Sequence, residues 1–362
     1  MLIRKSRVQL LCLGLVLGLA VLAAACVPQG GGTDAGTEQI TDMVGRQVEL
    51  PAKIEGVVGL RAGALRLIAY LNATDLVVGV EDFEKQDNKR PYALANPELA
   101  ALPSIGPQHG GDAELIMGQS PQVIFLTYAS ASDADTLQSK TGIPVIVINY
   151  GDLGQNRETF FDALRLMGRV LGRQDRAEEL IAVTDSIIAD LQQRGASANK
   201  AAAPVAYVGG IGFRGAQGLL STKPAYEPFV FANVGNSAGD LGVEHAMISA
   251  EQLLAWDPDV IFVDQGGLAL VMEDLKRPEY RYLTALDKGL VYGVLPFNYY
   301  AGNYATILAD AYYIGSVLYL ESFNDVNPVA KADEIYAAFV GQPVYKQMEE
   351  IFGGFKVLDL GD

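Results

Sequence analysis

The sequence predicts an α/β fold of two Rossmann-like lobes joined by a long backbone helix and facing each other across a cleft. Three observations carry that expectation. A pattern of short helix, proline turn and apolar strand occurs twice with the same spacing. Each copy is flanked by further β-branched runs, and the stretch between the two sets is apolar at helical spacing. Strands that alternate with helical segments form mostly parallel sheets covered by helices.

The two copies are "GGDAELIMGQSPQVIFLTY" from Gly110 and "HAMISAEQLLAWDPDVIFVDQ" from His245. Glu114 and Glu251 each precede a proline, Pro121 and Pro258, by seven residues, and VIFL or VIFV follows. Each copy reads as a helix with one apolar face that turns into a core strand. "IEGVVGL", "LVVGVE" and "IPVIVINY" supply further strands to a first lobe, residues 39–156, and "PVAYVGGI" and "GLVYGVL" to a second, residues 196–362. Residues 157–195 read as one long connecting helix whose weakest point is Gly172, and the helices of the last third are expected to pack on the second lobe.

The N-terminus is an export signal, with Arg4, Lys5 and Arg7 ahead of an apolar run from Val8 to Ala25. Ala23, Ala24 and Ala25 before Cys26 resemble a bacterial lipobox, although Leu22 stands one place off the usual pattern. Residues 1–26 are therefore expected to be a lipoprotein signal, with Cys26 the acylated anchor, residues 27–38 a Gly-rich tether and the body extracytoplasmic. The only other cysteine, Cys12, lies inside the signal, so the body has no disulfide and no thiolate metal site. A net charge of -16 argues against nucleic acid as a partner.

The stretch "VAYVGGIGFRGAQG" contains Gly210-x-Gly212-x-x-Gly215, but Pro224 and Pro228 follow where a dinucleotide fingerprint needs a helix. No HExxH or Walker sequence occurs, and two histidines leave a serine triad little choice of base. An extracellular enzyme is the remote alternative.

With the export signal, the opening "ITDMVGRQVELP", the two repeats and the helical connector, the chain resembles the siderophore and cobalamin class of ABC-importer substrate-binding proteins over roughly residues 39–345. The resemblance implies a monomer that performs no chemistry and carries no cofactor. It would capture a ferric siderophore-like chelate and deliver it to a permease dimer and its ATPase. Corrinoid, haem or a metal oxyanion such as molybdate are the alternative cargoes. It also implies that Glu114 and Glu251 dock onto the permease.

Ligands of open α/β lobes bind beyond the carboxyl ends of the strands. In the first lobe that rule selects Arg61, Tyr128, Tyr150 and the loop of His109. In the second it selects Phe213, Arg214, Gln265, the loop of Asn298, Tyr299 and Tyr300, and His245. A guanidinium fork suits carboxylate, catecholate or oxyanion oxygens, and aromatic faces suit a bulky chelate. The set of His and carboxylate ligands needed for a bare metal ion is not found.

Overall fold

Short runs of β-branched residues become strands buried on both faces because helices cover both sides of each sheet. The computed structural model describes residues 38–86, 89–198 and 203–359. The signal and Cys26 lie outside the described residues.

After an antiparallel hairpin, β1 (Glu38–Thr41) and β2 (Gln47–Leu50), the first lobe builds a parallel sheet. Its strands, in order, are β3 (Val57–Leu60), β4 (Val123–Thr127) and β5 (Val145–Ile148). Val57 faces Val123, and Ile124 faces Val145. Around this sheet lie α1 (Ala64–Tyr70), α2 (Pro91–Ala95), α3 (Ala113–Gly118) and α4 (Ala131–Thr141).

Residues 157–195 are not one helix. Helix α5 (Arg157–Leu171) and helix α6 (Gln174–Ser197) form an antiparallel pair. Gly172 takes a left-handed φ of 64°, and the Arg173 N–H returns to the Gly168 carbonyl at 2.7 Å, which ends α5. Arg165 then meets Glu178 at 2.9 Å and Arg157 meets Asp185 at 3.7 Å, a register only a hairpin gives. A Cβ at Gly168 would stand 2.9 Å from that of Ala177, so the missing side chain permits the close approach.

The second lobe contains β6 (Val205–Gly209), β7 (Ser221–Thr222), α7 (Glu227–Ala232), β8 (Gly235–Asn236), β9 (Ala246–Met247), α8 (Ala250–Trp256), β10 (Val260–Asp264), α9 (Leu268–Leu275), α10 (Thr284–Asp287) and β11 (Val291–Val294). Helices α11 (Tyr304–Leu318), α12 (Pro328–Val340) and α13 (Tyr345–Phe352) and strand β12 (Lys356–Val357) complete the chain. Its main sheet runs β12-β11-β10-β6-β8, parallel except for β12. Trp256 closes α8 and lies 6.4 Å from the Tyr207 ring.

The terminal helices do more than cover the second lobe. Helix α12 also packs on α1 and α2 of the first, with Phe339 edge-on to Tyr70 at 5.2 Å. One continuous core consequently runs from Leu67 and Phe125 through Phe160 and Leu180 to Phe262 and Leu308. Each such buried side chain contributes about 1.5 to 3 kcal/mol, so this side of the molecule resists opening.

Candidate functional site

The site lies where the strand ends of the two lobes converge. Arg61 follows β3, Tyr128 follows β4 and β5 leads to Tyr150. Arg61 and Tyr128 take left-handed φ of 68° and 46°. The Arg61 guanidinium donates to the Tyr128 carbonyl at 3.0 Å, and the Tyr128 ring stands edge-on to Tyr150 at 4.7 Å. From the other side, Phe213 stacks on His245 at 4.3 Å, with the Arg214 guanidinium 5.5 Å from the Phe213 ring. The loop after Gly210 is held by its own backbone, Phe213 N–H to the Gly215 carbonyl at 3.0 Å, and the next helix is α7, so no phosphate-binding helix follows.

Residues 298–303 form a strap from the second lobe to the first. Its base is gripped by two buried carboxyls: Leu295 N–H donates to Asp310 at 3.1 Å and Phe297 N–H to Asp264 at 3.3 Å. Burial pushes the Asp264 carboxyl up to about 7, and it pushes Asp310 well up too. Asn298 donates to the Gly212 carbonyl at 3.3 Å. Tyr300 crosses over: its hydroxyl donates to Glu81 at 3.1 Å, its ring lies 4.2 Å from Phe83, and His109 is 6.1 Å away. Glu81 also accepts from the backbone of Arg61 (3.1 Å) and Gly110 (2.7 Å), while burial raises its pKa.

One sequence candidate is corrected. Gln265 is buried and donates to the Gly354 carbonyl at 2.8 Å, because the C-terminal chain covers this strand end. Tyr299, half-buried, stands 6.3 Å from the Phe352 ring of α13. Conversely, four residues now at the site were not selected: Arg66, Glu81, Arg90 and Tyr304. Arg66 sits in "ALRLIAY", all buried, and a lone cation in such a run was the available signal. Its guanidinium lies 5.0 Å from the Tyr150 ring and 4.9 Å from Tyr304, and it donates to the Gly302 carbonyl. Its Nε and Nη2 have no hydrogen-bond partner. Arg90, whose Nε and Nη1 likewise have no hydrogen-bond partner, has a counter-charge in Glu84 at 3.1 Å. The Tyr304 hydroxyl bolts α11 to the first lobe at the carbonyls of Tyr150 (2.7 Å) and Gly151 (2.9 Å).

Catalytic chemistry finds little support. Gly235-Asn236-Ser237-Ala238-Gly239 has the letters of a hydrolase elbow but runs from β8 into a turn, and the buried Ser237 hydroxyl has no partner. His245 bonds Ser221 at 2.8 Å, but that hydroxyl donates to the Ile211 carbonyl instead of serving as a nucleophile. Among the described residues no group of three or more His, Cys, Asp or Glu could hold a metal ion.

Residues 57–296 match the family model described as periplasmic binding protein. The chain belongs to that family. It is 24% identical over 324 residues to the molybdate-binding protein MolA of Haemophilus influenzae, covering 83% of this chain and 90% of MolA. The structure of MolA bound to molybdate superposes with a TM-score of 0.67 at 21% identity, over 84% of this chain and 98% of that one. A periplasmic solute-binding protein from Veillonella parvula gives 0.69 at 19% identity, over 88% and 97%. These structural likenesses bear out the two-lobed α/β fold. Family membership makes the protein an extracytoplasmic solute-binding component of an ABC importer, a family whose members are transport proteins. Among the described residues no helix is long and apolar enough to cross a membrane.

Proposed function

We propose that the protein captures a compact metal oxyanion between its lobes and delivers it to an ABC permease dimer and its ATPase, as a monomer tethered through lipid on Cys26. The observation that carries the ligand class is the pair Arg61 and Arg66, one on each side of the Tyr128–Tyr150 ring contact at the first lobe's strand ends in an acidic chain, with no cluster of metal ligands among the described residues. Planar guanidinium donors recognise oxyanion oxygens, whereas a bare cation would need carboxylate or imidazole. The likeness to a molybdate-binding protein supports the same class. A ferric siderophore-like chelate is the second reading, favoured by the exposed faces of Tyr128 and Phe213, which would stack on a catecholate.

Glu114 and Glu251 are the proposed permease contacts. Both are exposed in the first turn of a capped helix: Asp112 accepts from the Glu114 N–H at 2.9 Å, and Ser249 accepts from Gln252 at 3.1 Å. Leu115 and Met117 add exposed apolar surface beside Glu114. Calorimetric titration with molybdate, tungstate, sulfate and a ferric catecholate tests the ligand class. Binding of the chelate alone would reverse the order of the two readings.

A further inference from the structure

Arg66 is a buried guanidinium whose Nε and Nη2 have no hydrogen-bond partner within ordinary geometry. Arg66 is 1% exposed and permanently charged. Burial of a charge is costly unless a counter-charge and hydrogen bonds offset it. The nearby carboxylates do not supply one. Glu84 is taken by Arg90 and by the Tyr92 hydroxyl at 2.9 Å, and Glu81 by Tyr300 and two backbone N–H groups. The Tyr150 and Tyr304 rings offset part of the cost through cation–π attraction, and a hydrogen bond goes to a neutral carbonyl, Gly302.

That carbonyl belongs to the strap, whose backbone is strained. Tyr300 and Ala301 are consecutive non-glycine residues at φ of 53° and 71°. The Tyr300 hydroxyl on Glu81 and its ring on Phe83 hold the strap down. On the opposite side a Cβ at Gly63 would stand 2.5 Å from Tyr150 and 3.1 Å from Arg66 Nη2, so a side chain there would collide with the guanidinium's surroundings.

We propose that Arg66 is the anchor for the oxyanion, and that the strap regulates access to it, the Gly302 carbonyl lying on a donor that a ligand oxygen would take. This inference rests on the oxyanion reading of the same cleft. Lifting the strap exchanges one neutral acceptor for a charged one and releases the left-handed pair. Two N–H directions not used by the strap give the anion a forked contact, and the counter-charge neutralises the buried cation.

The test is titration of the purified full-length protein with molybdate, tungstate and sulfate, with thermal unfolding and stopped-flow association measured in parallel. Arg66→Met should lower affinity by about a hundredfold, with an unfolding midpoint without added anion that stays level or rises, because an unneutralised charge is gone. Arg66→Lys keeps the charge but loses the fork, and should lose about tenfold. Tyr300→Phe should associate faster. Affinity of Arg66→Met within about threefold of the parent would overturn the anchor. So would a lowered midpoint in Arg66→Met together with parent-like affinity in Arg66→Lys, which would make the arginine a structural cation. An unchanged association rate in Tyr300→Phe would sever the strap from the site. A parent protein that binds none of the three anions overturns the oxyanion reading and this inference together.

Discussion

The two copies of the repeat end differently. Fourteen residues after Glu114 stands Tyr128, and fourteen after Glu251 stands Gln265. Tyr128 is 53% exposed, with a left-handed backbone that turns it out of the strand; Gln265 is 5% exposed and bonded to Gly354. One position earlier, Thr127 donates to the Ala62 carbonyl at 2.9 Å, whereas Asp264 is a buried acceptor for the base of the strap. The strands themselves match, VIFLT and VIFVD, each buried at every position. A duplicated segment thus reproduces its helix, turn and strand, but what covers the strand end is decided by chain far away in sequence. In the second lobe the C-terminal residues close it and hand the cleft-facing task to the strap.

The largest effect tests what the copies share. Glu114→Arg with Glu251→Arg reverses the charge of both proposed permease contacts, so uptake in cells should fall at least about a hundredfold while ligand affinity in solution is unchanged. Loss from only one of the two changes would mean that the halves are not equivalent in docking.

The next tests the neighbouring position. Asp264 has its carboxyl pKa raised by burial to about 7, so the protonated form is favoured in the fold. Its contribution is present at acid pH and is lost as pH rises from about 4 through about 7, by up to about 4 kcal/mol. Asp310 is shifted in the same direction, so Asp264→Asn should flatten the fall of unfolding free energy between pH 5 and 8 without abolishing it. Thr127→Val in the first lobe should leave that slope untouched. A parent protein equally stable at both pH values would discard the buried neutral acid.

Much of this architecture was legible. The Glu-x6-Pro spacing gave both helix–turn–strand units, and Arg61, Tyr128 and Tyr150 were placed by strand ends alone. The hairpin of α5 and α6 was not, because both arms are apolar at helical spacing and only a left-handed turn at Gly172 separates them. Gln265 was misplaced because a strand-end rule cannot see the C-terminal segment that covers it. Arg66 was passed over because it lies inside a helix, one turn beyond the strand end, where its burial depends on Tyr150 and Tyr304 arriving from far along the chain.

A finer pair of changes separates the equivalent positions directly. Gln265→Ala leaves the Gly354 carbonyl without its partner and should cost about 1 to 3 kcal/mol in denaturant unfolding, with affinity intact. Tyr128→Ala should do the reverse, lowering affinity several-fold with little change in stability. If both variants lose binding, the second strand end also reaches the ligand. The smallest effect is expected at Arg214, which is exposed and bears on the Phe213 ring. Solvent-screened charge contributes little, so Arg214→Ala should weaken binding by no more than about threefold in physiological salt.

Trp256, the chain's single tryptophan, ends the helix that begins beside Glu251 and rests over Tyr207, while the cleft is furnished with tyrosines. The molecule therefore carries one indole reporter, placed away from the cleft. Light selective for indole will register a partner settling on α8 and remain almost blind to cargo. Docking can therefore be timed in an unlabelled sample by a signal that the tyrosines of the cleft do not share.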